Sequence, residues 1–260
     1  MSYPKALEGT PKIIFFTDFD GTITLQDTND FITDNLGFGV ERRRQLNKDC
    51  LDGVSTFRDT FREMLDSIKA PYSQCIELLK KNIRLDPHFK DFYLWAKSTG
   101  IPVIILSSGM RPIIRTLLSQ LLGPEADEID ILCNEMVDRP GMNREEPGGW
   151  TIQYHDDSGF GHDKSLTIRP YREHFEKNLN EKRPTLLYAG DGVSDLSAAR
   201  ETDLLFAKKG KDLVAYCERE GVPFTLFEDW SSILQKTKEI YEGESSIKDL
   251  ANDGLNEAQQ

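Results

Sequence analysis

The chain has 260 residues, enough for one large domain or for a core with a smaller appended unit. Hydrophobic residues make up 38% and charged residues 29%, a balance that supports a buried core and excludes wholesale disorder. The formal net charge of −12 repels nucleic acid and anionic membrane surfaces, yet admits a small phosphorylated substrate, because one metal ion and one lysine reverse the field locally.

Lys12–Thr17 (KIIFFT) is a short apolar, β-favouring run that breaks into Asp18-Phe19-Asp20-Gly21, so it predicts a buried strand ending in a tight turn. Residues 29–90 differ: they are rich in helix formers and carry Phe57, Phe61 and Leu65 at helical spacing, which predicts a helical segment inserted after the first strand. Phe89–Ser98 predicts a helix that returns the chain to the core, with Gly100 near its C-cap. Pro102–Leu106 (PVIIL) then runs into Ser107-Ser108-Gly109, followed by a helix near Pro112–Leu122. The alternation of Trp150, Ile152 and Tyr154 predicts a surface β-hairpin within Gly141–Tyr154. Thr185–Ala189 (TLLYA) breaks into Gly190-Asp191-Gly192, with a helix near Ser194–Arg200 and a further strand at Leu204–Ala207. From Glu242 onward the chain is polar and acidic, and a frayed tail is expected.

Strands alternating with helices predict an α/β fold, a Rossmann-like doubly wound parallel sheet. The expected division is a core of residues 1–28 and 91–241, a helical cap of residues 29–90 and an acidic tail of residues 242–260. Cys50, Cys75, Cys133 and Cys217 are widely spaced without a C-x-x-C pair, which argues against zinc and for reduced thiols. The first ten residues lack the apolar stretch of a signal peptide, and the longest apolar runs are too short to span a bilayer. A cytoplasmic location without membrane or nucleic-acid partners is expected; the oligomeric state stays open.

In sheets of this kind ligands sit at the carboxyl ends of the strands, where three polar, glycine-bearing turns fall. In Asp18-Phe19-Asp20-Gly21-Thr22, side chains two apart on extended backbone point the same way, so Asp18 and Asp20 can address one site. Two adjacent carboxylates repel unless a cation or proton intervenes, and magnesium suits such a pair. A carboxylate can also attack phosphorus. Gly21 permits the sharp turn. Ser107 and Ser108 offer hydroxyl and backbone donors to an anion, or equally an ordinary N-cap. Asp191 and Asp195, four apart, can share a face where a helix begins. Lys164, in Gly-His-Asp-Lys-Ser, can balance the carboxylates and grip a phosphoryl oxygen, although a single lysine is more often a surface charge. Each motif alone also reads as a plain polar turn.

Their joint order is more specific. DFDGT, a strand ending in serine, a lysine and GDGxxD together resemble the haloacid dehalogenase superfamily over about residues 12–230. The helical segment is similar to the cap of phosphoserine phosphatases. DFDGTIT (Asp18–Thr24), Asp27, Asp30, LDPHF (Leu85–Phe89), SSGM (Ser107–Met110) and the run Leu204–Trp230 resemble methionine-salvage-type phosphatases and their fungal relatives.

The resemblance implies a Mg2+-dependent phosphatase of a small phosphorylated metabolite. Asp18 would be the nucleophile and Asp20 the general acid and base. The Asp18 carboxylate, the Asp20 carbonyl and Asp191 would hold magnesium. Ser107, Lys164 and the N–H groups near Gly21 and Ser108 would hold the phosphoryl oxygens, and Asp195 would orient Lys164 or a metal-bound water. Phosphoserine phosphatases carry a substrate-facing glutamate where Asp27 stands here. The place of their cap arginine, counted without gaps from Phe57, falls on Met64, with Arg58 and Arg62 nearby. The missing bidentate partner favours a sugar or polyol phosphate over phosphoserine, which stays the alternative. A catalytically idle binding protein on the same fold is the rival from another class.

Overall fold

The computed structural model describes residues 5–7, 9–177 and 182–258. In chain order it places β1 (Ile13–Thr17), α1 (Thr28–Leu36), α2 (Val40–Leu51), α3 (Phe57–Asp66), α4 (Tyr72–Asn82) and α5 (Phe89–Ser98). There follow β2 (Val103–Met110), α6 (Arg111–Leu122), β3 (Asp130–Asp138), β4 (Trp150–Gln153) and α7 (Lys164–Lys177). The last elements are β5 (Thr185–Gly190), α8 (Leu196–Ala199), β6 (Leu204–Lys208), α9 (Asp212–Glu220), β7 (Thr225–Phe227), α10 (Trp230–Glu242) and α11 (Ile247–Ala258). The fold is α/β with a mostly parallel sheet. The chain divides into two compact units: Met1–Ile23, Asp86–Leu106 and Lys164–Gln260 form the first, and Thr24–Leu85 with Ser107–Asp163 the second.

In the first unit the strand order is β2-β1-β5-β6-β7, and every pairing is parallel. β1 is flanked on both edges, Phe15 pairing with Val103 of β2 and with Leu187 of β5. A strand covered on both faces reads as a continuous apolar run, which is why IIFFT and LLYA show no alternation. The register Thr17↔Ala189 brings the carboxyl ends of β1 and β5 out side by side. Below them Trp230, fully buried, packs at 4.7 Å from the rings of both Phe89 and Phe92 and at 5.8 Å from Phe15. Its indole Nε1 donates to the Thr22 carbonyl at 2.8 Å, so the aromatic cluster also holds the turn after β1.

The second unit holds α1–α4, the end of β2, α6 and the antiparallel pair β3–β4, in which Asp138 stands opposite Trp150. The four-helix segment leaves and returns at one point: Thr24 and Leu85 form an antiparallel bridge, and Leu25 N–H donates to the Arg84 carbonyl at 2.8 Å. Trp150 Nε1 donates to the Ala70 carbonyl at 3.1 Å, and Arg139 pairs with Asp66 at 2.5 Å, which ties the β3–β4 pair to the helices.

Three sequence expectations change. The hairpin's first strand is β3, upstream of Gly141, and Trp150 and Ile152 are core residues rather than surface ones. β2 continues through Ser107-Ser108-Gly109-Met110, where a turn was expected. Helix α11 replaces a frayed tail, with Leu250 and Ala251 buried; the tail's last two residues lie outside the described range. The cysteines are free thiols, and among the described residues no helix is long and apolar enough to cross a membrane.

Trp230→Ala removes the centre of the aromatic cluster and is expected to cost about 3–5 kcal/mol. Trp230→Phe, which leaves the buried Thr22 carbonyl without its donor, should cost about 1–3 kcal/mol. Denaturant unfolding of the two variants measures both, and a loss below about 1 kcal/mol for the alanine variant would contradict the assignment.

Candidate active site

Asp18 is the first residue beyond β1, and its N–H donates to the Ala189 carbonyl of β5 at 2.9 Å. Its Oδ1 accepts from the Phe19 N–H at 2.7 Å and lies 3.2 Å from Lys164 Nζ. Lys164 opens α7 and is fully buried. It also donates to Asp195 Oδ1 at 2.5 Å and to Tyr188 Oη at 2.9 Å. Asp195 Oδ1 takes a further donor, the Tyr188 hydroxyl, at 2.5 Å. Asp195 Oδ2 accepts from the N–H groups of Asp191 and Gly192, each at 3.0 Å.

The glycines of both acid turns are required by this crowding. A Cβ on Gly21, whose φ is +73°, would sit 2.2 Å from Asp191 Oδ2, and one on Gly190 would sit 2.4 Å from Asp195 Cγ. Lys208 of β6 donates to the Gly21 carbonyl at 2.8 Å and pins the first turn from the other side.

Asp18 and Asp195 thus flank one buried ammonium, and Asp191 and Asp20 act on Asp18 from close by. Burial, followed by the fields of Asp195, Asp191 and Asp20, pushes the Asp18 carboxyl well above its usual range, although Lys164 pulls the other way. For Lys164 burial acts downward, but Asp18 and Asp195 outweigh it and the ammonium is held above its ordinary value. Ligand atoms of Asp18, Asp191 and Asp195 lie within 4.8 Å of one another. Asp195 already takes four donors on its two oxygens, the full capacity of a carboxylate, which suits it to orienting rather than ligation. Asp18 and Asp191 remain as oxygen donors. A hard divalent cation such as Mg2+ fits oxygen donors and relieves the repulsion that raises Asp18.

The structure places the remaining predicted residues as follows. Asp20 and Gly21 lie in the first unit with Asp18, Lys164, Asp191 and Asp195, and Asp20 is buried. Ser107 and Ser108 belong to the second unit. Ser107 Oγ accepts from the Gly109 N–H at 2.9 Å, which keeps its hydroxyl hydrogen available to donate. The carbonyl of Ser107 accepts from His162 Nδ1 at 2.9 Å and that of Ser108 from Asn134 Nδ2 at 2.7 Å. Asn134 Oδ1 accepts from the His155 N–H at 2.8 Å, which fixes the orientation of the amide. Ser108 Oγ is buried without a hydrogen-bond partner among the described residues.

The residues singled out in the helical segment have structural partners. Asp27 caps α1, its Oδ1 accepting from Asn29 and Asp30 N–H groups at 2.8 Å each. Arg58 donates to the Asp156 carbonyl at 2.6 Å, and its guanidinium lies 4.4 Å from the centre of the Tyr154 ring; Arg62 lies 4.8 Å from the same ring. Met64 is buried in the face of α3 that also buries Phe61 and Leu65. Sequence reasoning missed Tyr188, Asn134 and His162. The available signals were a tyrosine inside the apolar run TLLYA, an asparagine inside DILCNEMVD and the histidine of Gly-His-Asp-Lys.

Residues 15–200 match the family of haloacid dehalogenase-like hydrolases. The chain is 50% identical to the polyol phosphate phosphatase PYP1 of Saccharomyces cerevisiae, over 92% of its own length and 98% of the relative's. It is 53% identical to Pdp3-interacting factor 1 of Schizosaccharomyces pombe, over 88% and 96% of the two chains. Among solved structures, a phospho-aspartyl intermediate analogue of phosphoserine phosphatase shares the fold with a TM-score of 0.59, covering 87% of this chain and 98% of that one at 20% identity.

The upward shift of Asp18 has a sign that stability can read. An acid whose folded pKa is raised binds its proton more tightly when folded, so stability falls as pH rises from the ordinary carboxylate value through the folded one. In chelator at neutral pH, Asp18→Asn removes a buried charge that its neighbours oppose while keeping an acceptor for Phe19 N–H and Lys164. Its Tm should exceed the parent's by about 2 °C or more, and the gap should narrow as the pH falls toward the carboxylate range. A variant less stable than the parent under those conditions would contradict the charge balance described.

Proposed function

The chain belongs to the haloacid dehalogenase-like hydrolases, and we propose that it is a Mg2+-dependent phosphatase of small polyol or sugar phosphates that works through an aspartyl-phosphate. The observation that carries the reading is the constellation of buried Asp18, Lys164 and Asp195 with half-buried Asp191, at the carboxyl ends of two adjacent parallel strands.

In this reading an Asp18 carboxylate oxygen attacks phosphorus, the bond from phosphorus to the ester oxygen breaks, and Asp20 gives that oxygen its proton. Asp20 then takes a proton from water as water attacks phosphorus, the bond from Asp18 to phosphorus breaks and inorganic phosphate leaves. Asp18, the Asp20 carbonyl and Asp191 would hold the magnesium, which supplies charge neutralisation for the phosphoryl group. Lys164, Ser107 and the N–H groups near Gly21 and Ser108 are assigned to the phosphoryl oxygens, and Asp195 to orienting Lys164. Residues 29–90 are assigned the role of a cap that selects the substrate, on a core of residues 1–28 and 91–241.

Two observations favour a polyol or sugar over phosphoserine. Arg58 and Arg62 are engaged with Tyr154 and its neighbouring loop, and Met64 is a core residue, so none of the three is poised as a bidentate partner for a substrate carboxylate. A carboxylate buried without such a partner is costly, whereas hydroxyl groups need only hydrogen bonds. The relative that is 50% identical is a polyol phosphate phosphatase.

The test is phosphate release by the full chain from a panel of sugar and polyol phosphates and phosphoserine. Release should require Mg2+, cease in chelator and be inhibited by Ca2+, whose longer bonds and higher coordination disturb in-line attack. Asp18→Asn should lose at least about 10³-fold in turnover. The best polyol or sugar phosphate should exceed phosphoserine in kcat/KM by about tenfold, since a mismatch of one buried charge is worth more than that. Phosphoserine at the head of the panel would overturn the substrate assignment, and full activity in chelator or in Asp18→Asn would overturn the mechanism.

A further inference from the structure

Tyr188 stands in the middle of β5 between Leu187 and Ala189, both fully buried, and pairs in register with Phe16 of β1. Nothing in the apolar packing of these strands calls for a hydroxyl at that place, and phenylalanine is accepted at the paired position. The hydroxyl is nonetheless fully committed. It stands 2.9 Å from Lys164 Nζ and 2.5 Å from Asp195 Oδ1, and all three side chains are sealed from solvent.

Elementary donor counting fixes the direction of each bond. An ammonium has three N–H donors and no acceptor, and an ionised carboxylate only accepts. The Tyr188 hydrogen therefore goes to Asp195, and a Tyr188 lone pair accepts from Lys164. The three donors of Lys164 are then assigned to Asp195, Tyr188 and Asp18, the last being the longest contact at 3.2 Å. A phosphoryl oxygen that reaches Lys164 has to share or replace one of these. Asp195 and Tyr188 also hold each other, so the contact that yields is the one toward Asp18, where the phosphoryl group is to be transferred.

We propose that Tyr188 is a positioning residue, which locks one N–H of Lys164 to a neutral acceptor and so aims the remaining one at the nucleophile and the incoming phosphoryl group. A neutral partner suits this place, because a further carboxylate would add to the repulsion that already raises Asp18, and an apolar one would leave a buried N–H unmatched and the ammonium free to rotate. The proposal deepens the phosphatase reading and rests on Lys164 holding the phosphoryl group.

The experiment is Tyr188→Phe, nearly isosteric, in the full chain and again in a Lys164→Ala background. Magnesium-dependent turnover of an aryl phosphate gives kcat and KM, competitive inhibition gives Ki for inorganic phosphate, and thermal unfolding reports the fold. Tyr188→Phe alone should lower kcat/KM by about tenfold to a hundredfold, the scale of a misplaced catalytic group, and raise the phosphate Ki severalfold with the fold intact. In the Lys164→Ala background it should change neither, because its effect acts through that lysine. Kinetic constants within twofold of the parent, equal losses in both backgrounds, or a fall in Tm with unchanged Ki would each overturn the proposal and leave Tyr188 as core packing. If Lys164→Ala matches the parent, or the parent releases phosphate from neither the aryl phosphate nor any sugar or polyol phosphate, the phosphatase reading itself fails and the proposal with it.

Discussion

The buried ammonium of Lys164 is the point on which the first unit's polar architecture depends. It lies at 2.5 Å from Asp195 and 3.2 Å from Asp18, with no exposure to water. An ammonium taken from water is costly unless several acceptors replace its hydration, and a cluster of carboxylates is equally costly without a cation. Each side of this arrangement makes the other tolerable. Removing the lysine would leave acids that repel, and removing the acids would leave a charge in an apolar core. The close approach of the Gly21 and Gly190 turns to Asp191 and Asp195 follows from the same compression, since any side chain there would displace a carboxylate.

That compression is delivered by ordinary parallel pairing. β1 and β5 run side by side from Ile13↔Thr185 to Thr17↔Ala189, so the residues that follow each strand emerge together. Asp18 and Asp191 are distant in sequence, and the sheet makes them neighbours without any local signal between them. Packing beneath the sheet stiffens the turns: Trp230 reaches Thr22 and Lys208 reaches Gly21, so core and site are held by the same residues. Residues with such double duty tie the placement of the chemistry to the stability of the core.

Much of this was legible in the sequence, because strand-ending motifs combine two signals that are both local. An apolar run states the strand, and the Gly- and Asp-rich break states where it ends; the turns that carry Asp18, Asp20 and Asp191 were placed that way. What was not legible depends on tertiary partners. β3 has Asp130, Glu135 and Asp138 on its length and a buried Asn134 that only makes sense once the Ser108 carbonyl and His155 N–H are in place. α11 sits in an acidic, polar tail, and only the burial of Leu250 and Ala251 explains why it is helical there. In the helical segment Asp27, Arg58 and Arg62 were readable as polar groups available to a substrate. The structure commits each to a cap or to an aromatic face, a choice fixed by neighbours such as Tyr154 nearly a hundred residues away.

The formal charge of the whole chain and the local charge around the acid cluster are different quantities. A formal −12 belongs to the surface as a sum, whereas an anionic substrate responds to the groups within roughly a Debye length, about 8–10 Å. In the first unit the acid cluster has cations gathered around it. Lys211 Nζ lies 3.7 Å from Asp191 Oδ2, and Lys208 reaches the Gly21 carbonyl although burial pulls its ammonium below the ordinary lysine value. With Lys164 these lysines offset most of the carboxylate charge of the cluster, and a divalent cation held there would tip the balance positive. The local field that a small anion meets at the cluster is therefore set by these few paired groups and not by the formal charge of the chain.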